Sequence, residues 1–452
     1  MTNPDDVVKQ IKRSEANKIK VAITDIDGVM RGKYVHVNKF LSAAETGFGF
    51  CNVIFGWDMN DVAYDNVKYT GWHTGYPDAK VNLDLDTFRL VPWDNDIPFF
   101  LGEFVDSNDR PLPICPRQLL KQVVAQAGVS GYFPLVGTEF EWFNFRETPQ
   151  SLEKKNFHSL ESLTPGMFGY SLIRSSYENE YFNEIMDQLL DFDVPIEGLH
   201  TETGPGVYEA ALVACDALEA ADRAVLFKTS VKELANKRDI IASFMARWNN
   251  TLPGCSGHIH QSLCLENGTN AFYDKKDPLT MSDTFKSYIA GQLLCLPEIL
   301  PMLAPTINSY KRLVEGFWAP TSATWGVDNR TAAVRVILGS KKATRMELRV
   351  GGADINPYLA IAATLAAGMY GIENKLELKE EMITGNAYEA KDAVKFPSSL
   401  EAATEKFANS KIAKELFGEV FVDHYANTRR WECKEFHKAV TDWELKRYFE
   451  II

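Results

Sequence analysis

GTEFEWF, residues 137–143, alternates acidic and aromatic side chains along its central residues. In a β-strand, this period of two places Glu139 and Glu141 on one face and Phe140 and Trp142 on the other. Two adjacent carboxylates repel each other, and a divalent cation would compensate that repulsion. A single pair of this kind more often marks a solvent-facing strand, so the rest of the sequence has to decide between the two interpretations.

A second acidic pair flanks a tight turn. Residues 196–202 (IEGLHTE) alternate again, the turn TGPG follows at 203–206, and Glu209 comes shortly afterwards. Glycine and proline in this arrangement favour a chain reversal. A hairpin here would bring the carboxylates of Glu202 and Glu209 to one point, which favours the metal-binding interpretation.

Two histidines and one charged strand extend the set. His258 and His260 share a strand face after a Gly/Ser-rich loop, and Arg345, Glu347 and Arg349 share the charged face of a later strand. Hard oxygen ligands with one or two imidazoles suit magnesium or manganese better than zinc. Magnesium and manganese also bridge nucleotide phosphates, so these strands predict a metal-dependent nucleotide site.

The phosphates of such a nucleotide would need ligands other than a Gly-rich loop, because the sequence contains no GxxxxGK[ST] motif. Arginine and metal can hold phosphate oxygens instead. Each arginine on its own is more often structural, but the sequence concentrates candidates within one region. These are Arg312, Arg330, Arg335, Arg345 and Arg349.

Composition narrows the class of protein. The chain has 452 residues and a net charge of -13, which argues against a nucleic-acid binder. Its seven cysteines are scattered and form no CxxC pair, so reduced thiols are expected rather than disulfides or a zinc site. The first twenty residues lack an apolar signal core, and the longest apolar stretch, 358–369, is too short to span a bilayer. We therefore expect a cytoplasmic protein.

The length and the pattern of elements predict two domains. Residues 18–105 are strand-like, and the Pro-rich segment 106–117 resembles a linker. Beyond it, amphipathic helices are predicted at 217–239 and 356–376, with strands between them. The sequence thus predicts an α+β protein with a small β-rich domain at residues 1–108 and a large α/β domain at 109–452.

Taken together, the motifs resemble the glutamine synthetase superfamily in order and spacing. They are GYPDAKVNLDLDTFRLVPW at 75–93, GTEFEWF, HTETGPGVYEAAL at 200–212, GHIHQSL at 257–263, NSYKRL at 308–313, NRTAAVR at 329–335, RMELRVGGADINPYLA at 345–360 and WELKRYFEII at 443–452. The resemblance implies an N-terminal β-grasp domain and a glutamine-synthetase-type catalytic domain. It also implies a ring-shaped homo-oligomer, typically a dodecamer of two hexamers, with active sites between neighbouring subunits.

The resemblance also assigns roles to individual residues. Two or three Mg²⁺ ions, or Mn²⁺ in their place, would be held by Glu141, Glu202 and Glu209 and by Glu139, His258 and Glu347. ATP would contact Glu197, His260, Ser262, Arg335 and Arg345, together with Lys341 or Lys342. Glutamate or the transferring phosphate would contact Gly254, Arg312, Arg330 and Arg349. Of these, Arg312 and Arg330 are the candidates for a catalytic role.

The sequence departs from glutamine synthetases where the family binds ammonium. Trp318 stands in place of the glutamate that closes over the ammonium and accepts its proton, and Phe317 precedes it. In the loop that carries a further aspartate and a serine, Asp58 keeps the catalytic aspartate, Trp57 precedes it and the serine is absent. An indole removes attraction for a small cation and offers a flat apolar wall. The substitution predicts a carbon-bearing amine, aniline-like or short alkyl.

The predicted function is therefore an ATP-dependent ligase. It would join L-glutamate to an organic amine as a γ-glutamyl amide, through a γ-glutamyl phosphate, as γ-glutamyl-amine ligases do. Two alternatives remain open. One is a glutamine synthetase that uses ammonia, and the other is a non-catalytic structural or regulatory relative, although all of the metal ligands that the resemblance implies are present.

Overall fold

The computed structural model describes residues 4–452. Its strands are Lys18–Thr24 (β1), Met30–His36 (β2), Phe48–Cys51 (β3), Asp78–Val91 (β4), Ile97–Val105 (β5), Phe133–Phe145 (β6), Ile196–Thr201 (β7), Val207–Leu212 (β8), Cys215–Asp216 (β9), Ile241–Ser243 (β10), Gly257–Cys264 (β11), Trp325–Val327 (β12), Val334–Ile337 (β13) and Arg345–Leu348 (β14). Its helices are Pro4–Arg13 (α1), Val37–Thr46 (α2), Pro116–Val129 (α3), Pro149–Lys154 (α4), Leu172–Tyr177 (α5), Asn179–Asp191 (α6), Ala217–Asn236 (α7), Asp283–Ile299 (α8), Ser309–Arg312 (α9), Pro357–Glu373 (α10), Leu400–Asn409 (α11), Lys411–Phe417 (α12), Glu419–Lys438 (α13) and Asp442–Tyr448 (α14).

The N-terminal strands form a mixed sheet in the order β2-β1-β5-β4-β3. Strands β1 and β5 run parallel, and the other neighbours are antiparallel. Helix α2 lies against this sheet and buries Phe40, whose ring stacks on Phe100 at 4.7 Å between centroids. A helix packed on a mixed sheet is the β-grasp arrangement that the resemblance implied, and the predicted fold class is confirmed.

The second sheet is the scaffold of the catalytic domain. Its strands follow the order β12-β13-β14-β11-β6-β8-β7, and β9 and β10 also pair with β6. Phe140 and Trp142 are buried on the helix-covered face, where the Trp142 indole stacks on Phe244. The alternation along β6 therefore points the two glutamates away from the hydrophobic core, as the sequence predicted.

Helix α10 forms the centre of the core behind this sheet, and nearly all of its side chains are buried. It packs closely on α8 because Gly291 and Gly371 face each other across the contact, where an added Cβ would collide with backbone atoms. The predicted helix at 356–376 ends slightly earlier than expected. Lys375 adopts a left-handed φ of 49°, which an α-helix cannot continue through.

A buried arginine at the start of α3 connects the N-terminal sheet to helix α7. Arg117 donates to both carboxylate oxygens of Asp222 on α7, each at 2.9 Å. It also contacts Glu103 and Asp84 of the N-terminal sheet, each at 2.8 Å. One cation therefore compensates acids from both halves of the chain. The domain boundary at residue 108 stays a prediction.

The structure also describes the state of the cysteines and the apolar character of the helices. All seven cysteines are free, as their scattered spacing predicted. Among the residues that the structure describes, no helix is both long enough and apolar enough to cross a membrane.

We predict that Arg117→Ala lowers the free energy of unfolding by about 3–5 kcal/mol, because the substitution leaves three carboxylates without their buried cation. Urea denaturation monitored by circular dichroism would measure the change. Arg110→Ala is the matched control, since its exposed side chain pairs with Asp106 alone and its loss should leave the transition in place. Equal transitions for both variants would contradict the role given to Arg117.

Candidate active site

The polar face of the large sheet carries a row of facing acidic and basic residues. Cross-strand register sets Glu141 opposite Glu209, and Glu139 opposite His258. One strand further, Glu347 lies opposite His260. Directly opposed residues in antiparallel strands lie close enough to interact. The strand pairing thus gathers residues that are up to about two hundred positions apart in the chain onto one surface.

Glu139 and Glu347 form the first cluster together with the two histidines. His260 Nε2 lies 3.1 Å from Glu139, and His258 Nδ1 lies 3.5 Å from Glu139 and 3.3 Å from Glu347. Arg345 donates to Nδ1 of His260 at 3.2 Å, and Nε2 of the same ring faces Glu139. Ligand atoms of Glu139, His260 and Glu347 lie within 4.8 Å of one another.

The carboxylates of this cluster are held ionised. Burial alone would raise the pKa of Glu139, but His258 and His260 outweigh it and bring that pKa well below its usual range. Burial likewise opposes ionisation of Glu347, and His258 and Arg349 lower its pKa to about 2. Arg335 adds a further contact to Glu347 at 2.9 Å.

Glu141, Glu202 and Glu209 form the second cluster. Two of its carboxyl groups have raised pKa values, whereas those of the first cluster are lowered. Burial, followed by the neighbouring Glu141 and Glu139, raises the pKa of Glu209 to about 9. The pKa of Glu141 is also raised, chiefly by burial. No side chain within the described residues forms a salt bridge with Glu141 or Glu202. A cation bound between these oxygens would supply the missing compensation.

His200 belongs to this second cluster, and the sequence analysis missed it. Its ligand atom lies within 4.8 Å of those of Glu202 and Glu209, and its Nε2 is 3.9 Å from Glu209. Tyr170 packs over the imidazole at 4.5 Å between ring centroids. The signal was available, because the alternation that exposes Glu202 places His200 on the same strand face.

Both clusters fit divalent cations. The donor set is carboxylate oxygen with imidazole nitrogen, which magnesium and manganese accept. Nε2 of His258 is buried without a hydrogen-bond partner among the described residues, which leaves one polar atom for a ligand to satisfy. The division of the ligands between two ions, as the resemblance implied it, stays a prediction. The geometry adds His260 to the first group and His200 to the second.

Most of the predicted ATP contacts line one cavity of about 230 Å³ beside the first cluster. Glu197, His260, Ser262 and Arg345 all contribute to its wall, and Lys342 lies at its edge. Glu139 also reaches the cavity, so a nucleotide placed there would meet the first cluster. Arg335 lies outside this wall and bonds instead to Glu347 and Asp328.

The predicted glutamate contacts lie close to the second cluster. Arg312 is buried and donates to Ser256, to the carbonyl of Val350 and to the carbonyl of Arg349. Gly254 packs against the Arg312 side chain so closely that an added Cβ would collide with it. Arg349 donates to the carbonyl of Arg330 at 3.0 Å, which ties two of the predicted phosphate contacts together.

The segment that carries Phe317 and Trp318 projects from the domain. Trp318 is 62% exposed, so it does not pack into the body of its own chain. Its φ of 59° is rare for a bulky side chain and marks local strain. Phe317 lies over the guanidinium of Arg247 at 4.1 Å, which anchors the base of the segment and leaves the indole free.

Asp58 and Trp57 do not join this group within one chain. Asp58 accepts a hydrogen bond from the indole of Trp431 on α13 at 2.9 Å. Trp57 stacks against Arg31 in the N-terminal domain. In the part of the chain that the structure describes, neither residue hydrogen-bonds to the two carboxylate clusters. Their predicted place in the site of an adjacent subunit stays a prediction.

Comparison with known proteins agrees with this geometry. The family described as glutamine synthetase, catalytic domain, matches residues 113–448. The chain belongs to the glutamine synthetase family. The protein named Type-1 glutamine synthetase 2 of Dictyostelium discoideum is 56% identical over 456 residues, covering 100% of this chain and 87% of that one.

Amine ligases are also among the relatives. The glutamate–isopropylamine ligase of a Pseudomonas species is 37% identical, covering 98% of this chain and 97% of that one. A solved structure described as a GmaS/ADP complex is 25% identical, with a TM-score of 0.86 and full coverage of both chains. The predicted resemblance, including its γ-glutamyl-amine ligase branch, is thereby confirmed. The protein is a ligase of the family that joins glutamate to ammonia or an amine with ATP and divalent metal.

We predict that Glu209→Gln stabilises the metal-free protein, raising Tm by roughly 2–5 °C at pH 8. A pKa near 9 in the fold against 4.5 outside it means that folding opposes ionisation of Glu209, and this cost grows as pH rises between those values. Glutamine cannot ionise, so the variant avoids this cost. Mg²⁺ should stabilise the wild type more than the variant in differential scanning fluorimetry.

Glu147→Gln is the control with the opposite sign. Glu147 accepts hydrogen bonds from Lys155 and Ser151, and Lys155 in particular lowers its pKa to about 2, so its neutral variant should melt earlier. A Glu209→Gln protein that melts earlier without metal would show that the carboxylate is needed by the fold itself. That result would remove the metal-binding interpretation of this cluster.

Proposed function

We propose that the protein ligates L-glutamate to an organic amine, aniline-like or short alkyl, at the expense of ATP. The observation that carries this proposal is the exposed indole of Trp318 where glutamine synthetases place a proton-accepting glutamate. The similarity to a glutamate–isopropylamine ligase and to a GmaS structure supports it. The product is a γ-glutamyl amide.

The first half of the reaction uses the two carboxylate clusters. We assign two or three Mg²⁺ ions, with Mn²⁺ as an alternative, to the six ligands that the resemblance named. Ions held by these residues would supply positive charge for the phosphate oxygens during phosphoryl transfer. The cavity lined by Glu197, His260, Ser262 and Arg345 would hold the nucleotide.

Arginines stabilise the charge that develops during phosphoryl transfer. We assign Arg312, Arg349 and Arg330 to glutamate and to the transferring phosphate, and hydrogen bonds link the three, since Arg312 donates to the carbonyl of Arg349 and Arg349 donates to that of Arg330. Arg312 is buried and fixed by three hydrogen bonds, so it needs no reorganisation when negative charge forms. The amine nitrogen then attacks the γ-carbonyl carbon of the resulting γ-glutamyl phosphate, the bond from that carbon to the phosphate oxygen breaks, inorganic phosphate leaves with the electron pair, and the nitrogen loses a proton to give the amide. Exclusion of water protects the acyl phosphate from hydrolysis.

The amine is selected by an apolar wall. Trp318 and Phe317 supply one side, and we assign the other to Trp57 and Asp58 of the adjacent subunit. An aryl amine is neutral at physiological pH and needs no base to activate it, which matches the missing glutamate. This arrangement requires a homo-oligomer with shared sites, for which we propose the dodecamer of two hexameric rings that the resemblance implied.

Ammonia is the second candidate substrate. The 56% identity to a protein named as a glutamine synthetase favours it. The two candidates differ in what Trp318 does. In an ammonia-dependent enzyme the indole would contribute packing alone, whereas in an amine ligase it contacts the substrate.

We predict that Trp318→Glu lowers kcat/KM for the organic amine by about 10- to 100-fold. A ring-sized amine packed on the indole contributes roughly 1–3 kcal/mol, as other buried apolar side chains do. The new carboxylate should also hold or raise kcat/KM for ammonia, because it restores a proton acceptor. Glutamate-dependent phosphate release with each amine measures both constants.

The matched control is Trp72→Glu, which replaces another exposed indole with the same charged side chain. It should leave both constants unchanged. If Trp318→Glu lowers the constants for amine and ammonia together, or changes neither, the indole is structural and the organic-amine proposal loses its main support.

We also predict that two inactive variants complement each other. Asp58→Ala damages the site of one subunit and Glu347→Ala that of its neighbour, so mixed oligomers contain some interfaces with neither lesion. Subunits exchanged by dilution and reassembly should regain up to about a quarter of wild-type activity, as expected for random pairing of one intact half from each chain. A fully active monomer in light scattering would contradict shared sites.

A further inference from the structure

The loop that carries Trp57 and Asp58 is held in one shape by its own backbone. Oδ1 of Asp58 accepts hydrogen bonds from the amides of Asn60 at 2.9 Å and Val62 at 3.0 Å. The amide of Asp58 donates back to the carbonyl of Val62 at 3.0 Å. Asp61 completes the turn with a left-handed φ of 62°. A turn of this kind is compact, but these internal bonds do not fix its orientation on the domain.

Arg31, on β2, fixes that orientation together with Trp431 on α13, whose indole donates to Asp58 at 2.9 Å. Nη1 of Arg31 donates to Asp61 at 2.8 Å, and its guanidinium carbon lies 5.2 Å from the centroid of the Trp57 ring. The planar cation therefore holds the loop at both ends, by a charge-assisted hydrogen bond at Asp61 and by stacking on the indole at Trp57. The side chain of Arg31 is 20% exposed and that of Asp61 is 55% exposed, so solvent screens the ion pair between them in part.

The Nε atom of Arg31 is bonded to a buried carboxylate inside the N-terminal domain. Nε of Arg31 donates to Oδ2 of Asp25 at 3.0 Å. The carboxylate of Asp25 is buried and also accepts the backbone amides of Asp27 and Val29, each within 3.0 Å. Asn356 of the catalytic domain donates to the carbonyl of Asp25 at 3.2 Å. Arg31 thus connects the loop to a rigid turn that is itself bonded to the catalytic domain.

We propose that Arg31 is a positioning residue for the amine side of the active site, acting through the indole of Trp57. This inference rests on the proposed function, which places Trp57 and Asp58 against the amine of the adjacent subunit. Arg31 touches no substrate in this arrangement. It sets the angle at which Trp57 is presented, and it limits the movement of the loop that would otherwise widen the pocket.

The test is the split of kinetic constants in Arg31→Ala, assayed as the intact oligomer. KM for the organic amine should rise roughly five- to tenfold, the size expected for loss of one stacking contact and one charge-assisted hydrogen bond. KM for glutamate and for ATP should stay within about twofold, since their predicted contacts lie on other elements. Arg31→Lys keeps the charge but not the planar fork, so it should restore the amine KM in part.

Arg110→Ala is the matched control, because that arginine also lies in the N-terminal half and pairs with Asp106 alone. It should leave every constant unchanged. Trp57→Ala should reproduce the effect of Arg31→Ala on the amine KM, and the double variant should add little to either, since both act through one indole.

Two results would overturn the role of Arg31. One is an Arg31→Ala enzyme whose three KM values rise together, which would show a general structural role. The other is an unchanged amine KM in Arg31→Ala beside a raised one in Trp57→Ala. Failure of the proposed function has a different signature, a wild type that uses ammonia and no organic amine. In that enzyme the KM for ammonia tests Arg31 in the same way.

Discussion

The structure depends on gathering buried carboxylates onto one face of a sheet whose other face is the hydrophobic core. Phe140 and Trp142 anchor β6 to the helices, and the pleat of the strand then forces Glu139 and Glu141 to the opposite side. Repulsion between those acids has to be compensated, and each neighbouring strand supplies either a cation or another ligand. The chemistry of the site follows from how that compensation is distributed.

The two carboxylate clusters differ in how much of their negative charge is compensated by neighbouring side chains, and this difference gives them different roles. Around Glu347, two imidazoles and the guanidinium groups of Arg335 and Arg349 favour the ionised carboxylate, which is ready for a metal and for nucleotide phosphate. Around Glu209 the surrounding groups are mainly acidic, and the protonated carboxyl is favoured until a cation enters. A metal bound at the second cluster would therefore gain more from electrostatics and would displace protons as it binds.

Much of this could be predicted from the sequence, because local periodicity determines it. The alternation along β6 and the hairpin around residues 203–206 were enough to place four glutamates on one surface. Histidines were harder to assign. His200 obeyed the same period as Glu202 but was passed over, and His260, assigned to ATP, also lies within reach of Glu139 and Glu347. Which imidazole lies beside which carboxylate depends on the register between paired strands, and the sequence of a single strand does not specify that register.

Long-range contacts were beyond the sequence. The hydrogen bond from Trp431 to Asp58 joins residues 373 positions apart, and nothing in either segment predicts it. The contacts of Arg31 were not predicted either, although its partners Asp25, Trp57 and Asp61 all lie within the N-terminal domain. The Trp431 contact arises from packing one domain on another, and those of Arg31 arise from packing within one domain. These contacts determine the orientation of the loop that carries Trp57 and Asp58, whereas strand periodicity determines the acidic face of the sheet.

The claim that the protein uses an organic amine is tested most directly by comparing amines, one at a time, in the same assay. Glutamate-dependent phosphate release would be measured with aniline, isopropylamine, ethanolamine, putrescine and ammonia, each at concentrations around its KM. The structure predicts the highest kcat/KM for aniline or a short alkylamine, with ammonia lower by at least about tenfold, the equivalent of 1.4 kcal/mol. The highest kcat/KM for ammonia would contradict that claim, and so would no glutamate-dependent release with any of them.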